Sequence, residues 1–510
     1  TVCIALLGQF ALGVGFLNGV SAAAAITVAL TITSALTLLP ALLGFLGPKV
    51  LSHRERAALA AEQAADSALL DEAVLSAGPS TAGALTAGAP TTGTSTTDKP
   101  GGTARRPRRH TAARWAQFVE NHRLAVAVGS LVAVVAIALP VLGIRLGTSD
   151  SSTDPSGWTT RQSYDTLAHG FGPGFNGPLQ LAAQVDGPGD VRAFDNLLAA
   201  TSQTPGVAAV TAAQTSPNGH AVIATVYPTT SPQDSRTVTL VNTLRGSLIP
   251  TAEHGSGLNV HVGGQTASSI DFAHTLSAKL PLFVAVVVLL AFVLLMAVFR
   301  SILIPLVASL LNLLSVAAAL GAITAVFTKG WGGGLIGLSG TGPIDSFVPV
   351  VMFSVLFGLS MDYEVYTVSR MHEEWRRLGR ENAAEPARSD DPHYSRRRAV
   401  WLNHRAVTLG QRNSTRIVAA AAGIMVLVFG SFLIGRHHLL QEFGFGLAFS
   451  VLVDALLLRS LLLPAVMHLI GPANWRLPVR LGRLLPRLDI EVEAVPVTRD
   501  PDDVDRTPSR

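Results

Sequence analysis

The stretch FVPVVMFSVLFGLSMDYEVYTVSR, residues 347–370, is the part of the sequence from which the fold can be read. It begins as an apolar run of the length that crosses a bilayer as a helix, about 20 residues. Late in that run it carries Asp362, Tyr363 and Glu364. An ionisable side chain in the centre of a bilayer costs about 3 kcal/mol on insertion scales, so one that is present marks a candidate functional site. The stretch therefore predicts a membrane span with such a site inside it.

Similar apolar runs recur along the chain of 510 residues, of which 48% are hydrophobic and 14% charged. Soluble domains carry about 25% charged residues, so this composition excludes a soluble globular enzyme. Eight runs are predicted as spans: 1–16, 20–46, 123–146, 280–299, 301–327, 347–369, 415–435 and 440–470. The fold class expected is a polytopic α-helical membrane protein of about eight spans.

The distribution of Lys and Arg predicts the orientation of these spans, because cytoplasmic loops carry an excess of both. Arginines concentrate in 49–121, in the loop 370–414 and in the tail 473–510, whereas 147–277 holds only four. We therefore expect a multi-pass protein of the cell membrane with a cytoplasmic linker, loop and C-terminus and an exported segment 147–277. The net charge of +4 follows from these flanking residues, so nucleic acid is not an expected partner.

Two hydrophilic regions differ in kind. Residues 76–112 are rich in Gly, Ala, Thr and Pro and predict a disordered linker. Within 147–277, apolar alternation and helical periodicity follow one another in the order β-α-β-β-α-β, which is typical of a ferredoxin-like unit. The predicted domains are 1–48 (two spans), 49–121 (linker), 122–146 (span), 147–277 (exported domain), 278–472 (five spans with the loop 370–414) and 473–510 (tail).

An internal repeat links the two ends of the membrane part. TLLPALLGFLGP (37–48) aligns without gaps to LLLPAVMHLIGP (461–472). Since transporters are often built from repeated halves, the repeat predicts that each copy ends one half of a larger architecture. The second copy follows an exported domain and five further spans, so most of the first half is expected to be missing from this chain.

Polar residues within the spans fall on shared helix faces. Ser354, Gly358, Asp362 and Tyr366 lie four residues apart and form one small-or-polar stripe, which is expected to pack against other helices. In the last span, Gly446, Ser450 and Asp454 also share a face, and Arg459 follows just over one turn later.

Asp362 is predicted to carry a proton, with Tyr363 beside it and with Asp454, Arg459 and Ser450 as helpers, because desolvation and neighbouring charges tune a carboxyl group for loading and unloading. The alternative places Asp362 at the cytoplasmic interface with a solvated carboxylate, and this alternative is favoured for Glu364. Arg459 either pairs with Asp454 or extends towards the interface.

Motifs of soluble enzymes and cofactor sites are missing from the sequence. It contains no G-x-x-x-x-G-K-[ST], H-E-x-x-H or C-x-x-C, and Cys3 is the single cysteine. We therefore expect no ATP hydrolysis, no disulfide, no metal and no cofactor. An ion gradient is the remaining energy source.

The residues GLSMDYEVYTVSR (358–370) and HEEW (372–375) resemble the Asp-Tyr segment of the MMPL family of the RND superfamily. FGFGLAFSVLVDALLLRSLLLPAVMHLIGPANW (443–475) is similar to that family's last span, and TLLPALLGFLGP (37–48) resembles the end of its first half. The resemblance implies an RND-type fold of twelve spans with two exported porter domains, of which this chain holds spans five to twelve and the second domain. It also implies that Asp362 and Tyr363 form one of the family's two proton-relay pairs.

The function expected is proton-driven export of a lipid or another hydrophobic or amphiphilic molecule, antibiotics included, by a protein that contacts membrane lipids and can form a homo-oligomer. A lipid or sterol sensor that does not transport is an alternative. An intramembrane aspartyl protease using Asp362 and Asp454 is a weaker one, because such enzymes carry G-x-G-D whereas this sequence has GLSMD.

Overall fold

The computed structural model describes residues 2–46, 56, 109–254, 256–383 and 392–477. The predicted linker lies largely outside the described residues, as does the tail beyond residue 477. Two units are distinguished, one of residues 1–22 and 110–510 and the other of residues 23–109. Nearly all of the helices and strands belong to the first unit, and one long helix crosses the boundary at residue 22.

Within the described residues, seven helices are long and apolar enough to cross a membrane. Their bounds are Gly15–Leu46, Arg123–Gly143, Gln265–Phe299, Leu303–Thr328, Val348–Asn382, Tyr394–Gly435 and His438–Trp475. The chain is thus a multi-pass membrane protein, as its composition predicts. The first predicted span, 1–16, is shorter than expected: it forms a helix at Val2–Leu7 and a 3₁₀ turn at Gly8–Leu12.

We number the α-helices along the chain. They are α1 (Val2–Leu7), α2 (Gly15–Leu46), α3 (Arg109–Asn121), α4 (Arg123–Ala138), α5 (Thr159–Phe171), α6 (Pro188–Ser202), α7 (Ser235–Thr243), α8 (Ile249–Glu253), α9 (Gln265–Phe299), α10 (Leu303–Ile323), α11 (Val348–Ala383), α12 (Pro392–Ser431), α13 (His438–Val453) and α14 (Leu463–Ile470). A π-helical segment, Asp454–Leu462, joins α13 to α14.

The segment between α4 and α9 folds into an α+β domain. Its strands are β2 (Leu179–Gln184), β3 (Val207–Val210), β4 (Gln214–Thr215), β5 (Ala221–Pro228) and β6 (Asn259–Gly263). They form an antiparallel sheet of order β3-β5-β2-β6, with β4 beside β5. With α6 and α7 as crossovers, this is the predicted ferredoxin-like order β-α-β-β-α-β.

Alternation of side chains explains why this sheet forms. Along β2 the residues are buried and exposed in turn, and Leu179 and Leu181 face a core that includes Phe194 of α6 and Val241 of α7. At the exit of β6, Gly264 has φ +93°, and a Cβ atom there would lie 2.8 Å from the carbonyl oxygen of Pro178. This glycine allows the strand to turn directly into α9.

A second, very short sheet lies where the α+β domain meets the membrane helices. Strand β1 (Leu146–Gly147) follows α4 and strand β7 (Ile344–Asp345) precedes α11, and the two pair in parallel. The chain therefore enters the α+β domain and enters α11 at the same place.

Most of the predicted cytoplasmic loop 370–414 is helical among the described residues. Helix α11 continues to Ala383 and α12 starts at Pro392. Ion pairs one helical turn apart support this extension: Arg370 with Glu373 at 2.8 Å and Arg377 with Glu374 at 2.7 Å. The change from apolar to charged sequence marks the end of the predicted span, whereas the helix continues because such charge pairs favour helical structure.

Candidate functional site

The last long helix, His438–Trp475, changes its winding at Asp454 and Arg459. From Asp454 to Leu462 it is π-helical, so five residues make slightly more than one turn. In an α-helix, residues five apart point about 140° away from each other. The π segment instead brings Arg459 back over Asp454.

These two residues form a buried ion pair. Arg459 Nε lies 2.7 Å from Asp454 Oδ2, and the residues are 6% and 7% exposed. Arg459 Nη2 also donates to the hydroxyl of Ser360 at 2.8 Å and to the backbone carbonyl of Ser360. The pair therefore ties the π segment to α11.

Ser360 of α11 supplies the other contact of Asp454 and also bonds to Asn312. The hydroxyl of Ser360 lies 2.6 Å from Asn312 Oδ1 of α10 and 3.2 Å from Asp454 Oδ2. A single hydroxyl proton can serve either acceptor. The arrangement leaves the carboxylate of Asp454 with one strong donor, Arg459, and one donor that can turn away.

Tyr363 borders the ion pair. Its ring centroid lies 5.3 Å from the guanidinium carbon of Arg459, within the range of a cation–π contact. Its hydroxyl donates to Met425 Sδ of α12 at 2.8 Å. Tyr363 is thus half-buried between the charged centre and α12.

Glu364 is buried in the same region, which the sequence interpretation missed. It is 3% exposed, and neither carboxylate oxygen has a well-formed hydrogen bond among the described residues. The expectation of a solvated interfacial glutamate is therefore wrong. The signal that could have found it is its spacing: Glu364 lies four residues after Ser360 and so shares the face that meets Asp454.

Asp362 lies on a different face of α11. It is exposed in this structure, whereas Ser360, two residues earlier and about 200° around the helix, faces the ion pair. The structure brings together Tyr363, Asp454 and Arg459 of the predicted site residues. It does not bring Asp362 into their buried contacts, and a relay role for Asp362 stays a prediction.

The small-or-polar stripe of α11 meets the N-terminal segment. Gln9 Nε2 donates to the hydroxyl of Ser354 at 2.7 Å. A Cβ atom on Gly358 would lie 2.7 Å from the Cα of Val2, so α1 packs directly on this glycine. Tyr366 lies further along, with its ring 5.6 Å from the guanidinium of Arg370.

Ser450 and Gly446 of α13 face α10. The hydroxyl of Ser450 lies 3.1 Å from that of Ser315, and Gly446 packs against Ile323. A cavity of about 10 Å³ is lined by Ser315, Leu356, Leu359, Ser360, Tyr363, Ser450, Val451 and Asp454. This volume is at the lower limit for one water molecule. The lining includes the hydroxyl groups of Ser315 and Ser450 and the carboxylate of Asp454.

Chemically, the site can hold and exchange protons. It contains two buried carboxyl groups, one guanidinium, a phenol and three nearby hydroxyls, all within membrane helices. Among the residues that the structure describes, no three His, Cys, Asp or Glu side chains are placed to hold a metal ion.

Comparisons with known proteins agree with this architecture. The model of the MMPL family matches residues 180–389 and 394–498. Membrane protein YdfJ of Bacillus subtilis is 34% identical over 379 residues, which cover 74% of this chain and 49% of that protein. Heme uptake protein MmpL11 of Mycobacterium tuberculosis is 31% identical over 385 residues, 74% of this chain and 37% of that protein.

A third relative is the trehalose monomycolate exporter MmpL3 of Mycolicibacterium smegmatis, 31% identical over 245 residues, which cover 48% of this chain and 22% of that protein. The chain thus spans half the length, or less, of these curated relatives. The family model nevertheless matches more than half of the chain, through the α+β domain and the helices that carry the buried ion pair. The chain therefore belongs to the MMPL family of membrane transport proteins.

Proposed function

We propose that this chain is part of a transporter that uses the proton gradient to export a hydrophobic or amphiphilic molecule. The observation that carries the proposal is the burial of Asp454, Arg459 and Glu364 inside membrane helices. Burying such groups is costly, so their presence inside membrane helices marks a candidate functional site. A proton is a ligand that a buried carboxyl group can bind without any further coordinating side chain.

The contacts suggest how a proton would act. When Asp454 takes up a proton, its attraction for Arg459 falls, and the guanidinium is left beside the carboxylate of Glu364 and the ring of Tyr363. Because Asp454 lies on the π segment and Glu364 on α11, the change of partner alters the contact between these two helices. Asp362 is proposed to exchange protons with this centre through Tyr363, its neighbour on α11.

The proposed layout assigns the α+β domain, 147–277, to the exported side and the charge-rich helical extensions around 370–414 to the cytoplasm. Residues 1–48 are proposed to end the first half of the transporter, with 49–121 as a cytoplasmic linker, 122–146 and 278–472 as membrane segments and 473–510 as a cytoplasmic tail. This layout places the domain where it can receive substrate from the outer leaflet.

The substrate class is proposed from the relatives' names together with the apolar surroundings. One relative is named for export of trehalose monomycolate and another for uptake of heme, and both molecules combine a large apolar part with polar groups. We therefore propose an amphiphile as the substrate, membrane lipids as partners and a homo-oligomer as the assembly.

Proton flux in proteoliposomes tests the proposal. The chain, co-reconstituted with whatever further segment its transporter contains, is given a pH gradient, and Asp454→Asn and Asp362→Asn are each expected to abolish proton-coupled export while insertion in the membrane is retained. Glu381→Gln, an exposed carboxylate on α11, is the matched control and should export normally. Unchanged export in Asp362→Asn alone removes Asp362 from the relay.

Unchanged export in both aspartate variants would refute proton coupling through this site. Ligand binding that does not respond to the gradient would then favour a lipid sensor. Cleavage of a membrane peptide that both variants lose would favour the protease. Against the protease, Asp454 Oδ2 is held by Arg459 and Ser360 and Asp362 lies on the exposed face of α11.

A further inference from the structure

Three more ionisable side chains are buried at the end of the helix bundle that joins the α+β domain. Asp345 of β7 is 4% exposed, and His438 and Glu442 in the first turns of α13 are 3% and 0% exposed. They lie outside the site described above: Glu442 precedes Asp454 by twelve residues, about 18 Å along the helix. The proposed function makes no use of them.

Glu442 lies next to each of the other two residues. His438 Nε2 lies 3.2 Å from Glu442 Oε1, and the backbone N–H of Asp345 donates to Glu442 Oε2 at 3.3 Å. Ser149 donates to Asp345 twice, through its backbone N–H at 3.2 Å and its hydroxyl at 2.7 Å. The rings of Phe327 and His438 pack in a T-shaped arrangement, with their centroids 5.3 Å apart.

The charges of this cluster do not balance without bound protons. With both carboxylates ionised and the imidazole neutral, the buried charge would be −2, and an uncompensated buried charge costs several kcal/mol. Asp345 accepts two hydrogen bonds from Ser149, so it can hold one negative charge. One proton on the His438–Glu442 pair then leaves the cluster with a charge of −1, and a second proton on this pair makes it neutral.

The groups around Asp345 act on the pKa of its carboxyl in opposite directions. Burial raises the pKa of the Asp345 carboxyl, opposed by the hydrogen bonds from Ser149 and by the nearby His438 and His437. On the domain side, Asp150 accepts a hydrogen bond from Gln233 at 2.5 Å. Arg145 is engaged with the backbone carbonyl of Gln233 at 2.8 Å.

The cluster lies at the join between the domain and the membrane helices. Asp345 pairs with Gly147 in the β1–β7 ladder. The residue that accepts the hydrogen bonds from Ser149 therefore also belongs to the strand that leads into α11. Ile344 N–H donates to the Arg145 carbonyl at 2.8 Å and Ser346 N–H to the Gly147 carbonyl at 2.9 Å. Opening of the β1–β7 join would break these bonds and would expose the Asp345 carboxyl to solvent.

We propose that Asp345, His438 and Glu442 form a second proton-binding site, and that proton uptake there fastens the α+β domain to the end of the helix bundle. The imidazole and carboxyl of the pair take the proton from hydronium in the solvent, which is left as water. At higher pH the cluster returns to a net negative charge, which is relieved when the β1–β7 join opens to solvent. The proton site itself does not depend on the proposed function; a role in export for the opening of the β1–β7 join does.

Hydrogen exchange tests the proposal without substrate or gradient. The purified chain in lipid nanodiscs is compared at about pH 5.5 and about pH 7.5, the range in which histidine titrates, with each rate normalised to its intrinsic value. The Ile344 and Ser346 amides should be about tenfold better protected at the lower pH, which corresponds to one pKa unit of linkage.

Variants separate the cluster from general effects of pH. The double variant His438→Gln, Glu442→Gln should lose the pH dependence, and Asp345→Asn should raise the protection at about pH 7.5 to the acidic level. Asp195→Asn, on an exposed position of α6, should behave as wild type. If the double variant fails to fold, Asp345→Asn alone still decides.

Equal protection at both pH values in the wild type, or an unchanged pH dependence in Asp345→Asn, would overturn the proposal. Because the readout needs neither export nor a gradient, such a result leaves the proposed function untouched. Conversely, failure of the Asp454→Asn and Asp362→Asn transport test leaves this second site standing.

Discussion

The ion pair between Arg459 and Asp454 offers a quantitative test of the buried network. In Arg459→Met, two buried carboxyl groups, Asp454 and Glu364, would lose their nearest cation, while the side chain keeps much of its apolar volume. Removing one partner of a buried pair costs about 3–5 kcal/mol, because the remaining charge is uncompensated. We expect a loss of this size in the free energy of unfolding, measured by titration with a denaturing detergent in mixed micelles near neutral pH.

A double-mutant cycle distinguishes this explanation from lost packing. Replacing both partners, in Asp454→Leu with Arg459→Met, removes both charges of the ion pair and leaves Glu364 alone without its cation, so stability should recover to within about 1–2 kcal/mol of wild type. The matched control is Arg370→Met, which breaks an exposed pair with Glu373 and should cost at most about 1 kcal/mol. If the double variant is as unstable as Arg459→Met, the stability depends on packing around the guanidinium and the electrostatic reasoning is refuted.

Two further predictions concern packing and capping. Gly321→Ala on α10 should destabilise the bundle by about 1–3 kcal/mol, because the added Cβ would lie 2.4 Å from the carbonyl oxygen of Ile137 on α4; Gly129→Ala, with open space at its Cβ, should be neutral or stabilising in the same thermal unfolding assay. Asp234 caps α7 by accepting from the Arg236 N–H, and Arg236 lowers the pKa of its carboxyl. Asp234→Ala should therefore cost about 1 kcal/mol at neutral pH. A carboxyl pKa that is lower in the folded than in the unfolded protein stabilises the fold at pH values above the unfolded pKa, so the difference in stability between Asp234→Ala and wild type should shrink as the pH falls below about 4. Hydrogen exchange of the α7 amides measures this difference. A difference that stays constant down to acidic pH would contradict the charge argument.

The spans and the α+β domain could be predicted because one physical signal dominates each of them. Apolar length identifies a membrane helix almost independently of context, and seven of the eight predicted spans are long helices. In the domain, alternation in LQLAAQV (179–185) predicts a strand with one buried face, and the structure shows that face on the core. Helical and strand periodicities then determine the order of elements.

The composition of the candidate site was less predictable, since it depends on rotation about the helix axis. An α-helical count places Arg459 away from Asp454, and only the π segment reverses this. Glu364 and Asp362 are two residues apart and both carry a carboxyl group, yet one is buried and the other exposed, because α11 presents opposite faces at these positions. A sequence periodicity of 3.6 carries no information about a local change of winding.

The two buried ionisable centres share one structural element, which limits how they can act. Glu442 and Asp454 both belong to the continuous helix that starts at His438, about 18 Å apart, or more than half of the hydrocarbon thickness of about 30 Å. A change of winding at the π segment rotates the residues after that segment and leaves the residues before it in place. A proton bound at Asp454 therefore acts mainly on α11 and α14, whereas a proton bound at Glu442 acts on β7 and the α+β domain. For this reason the two sites should respond separately to substitution, and an Asp454→Asn variant should retain the pH-dependent protection of Ile344.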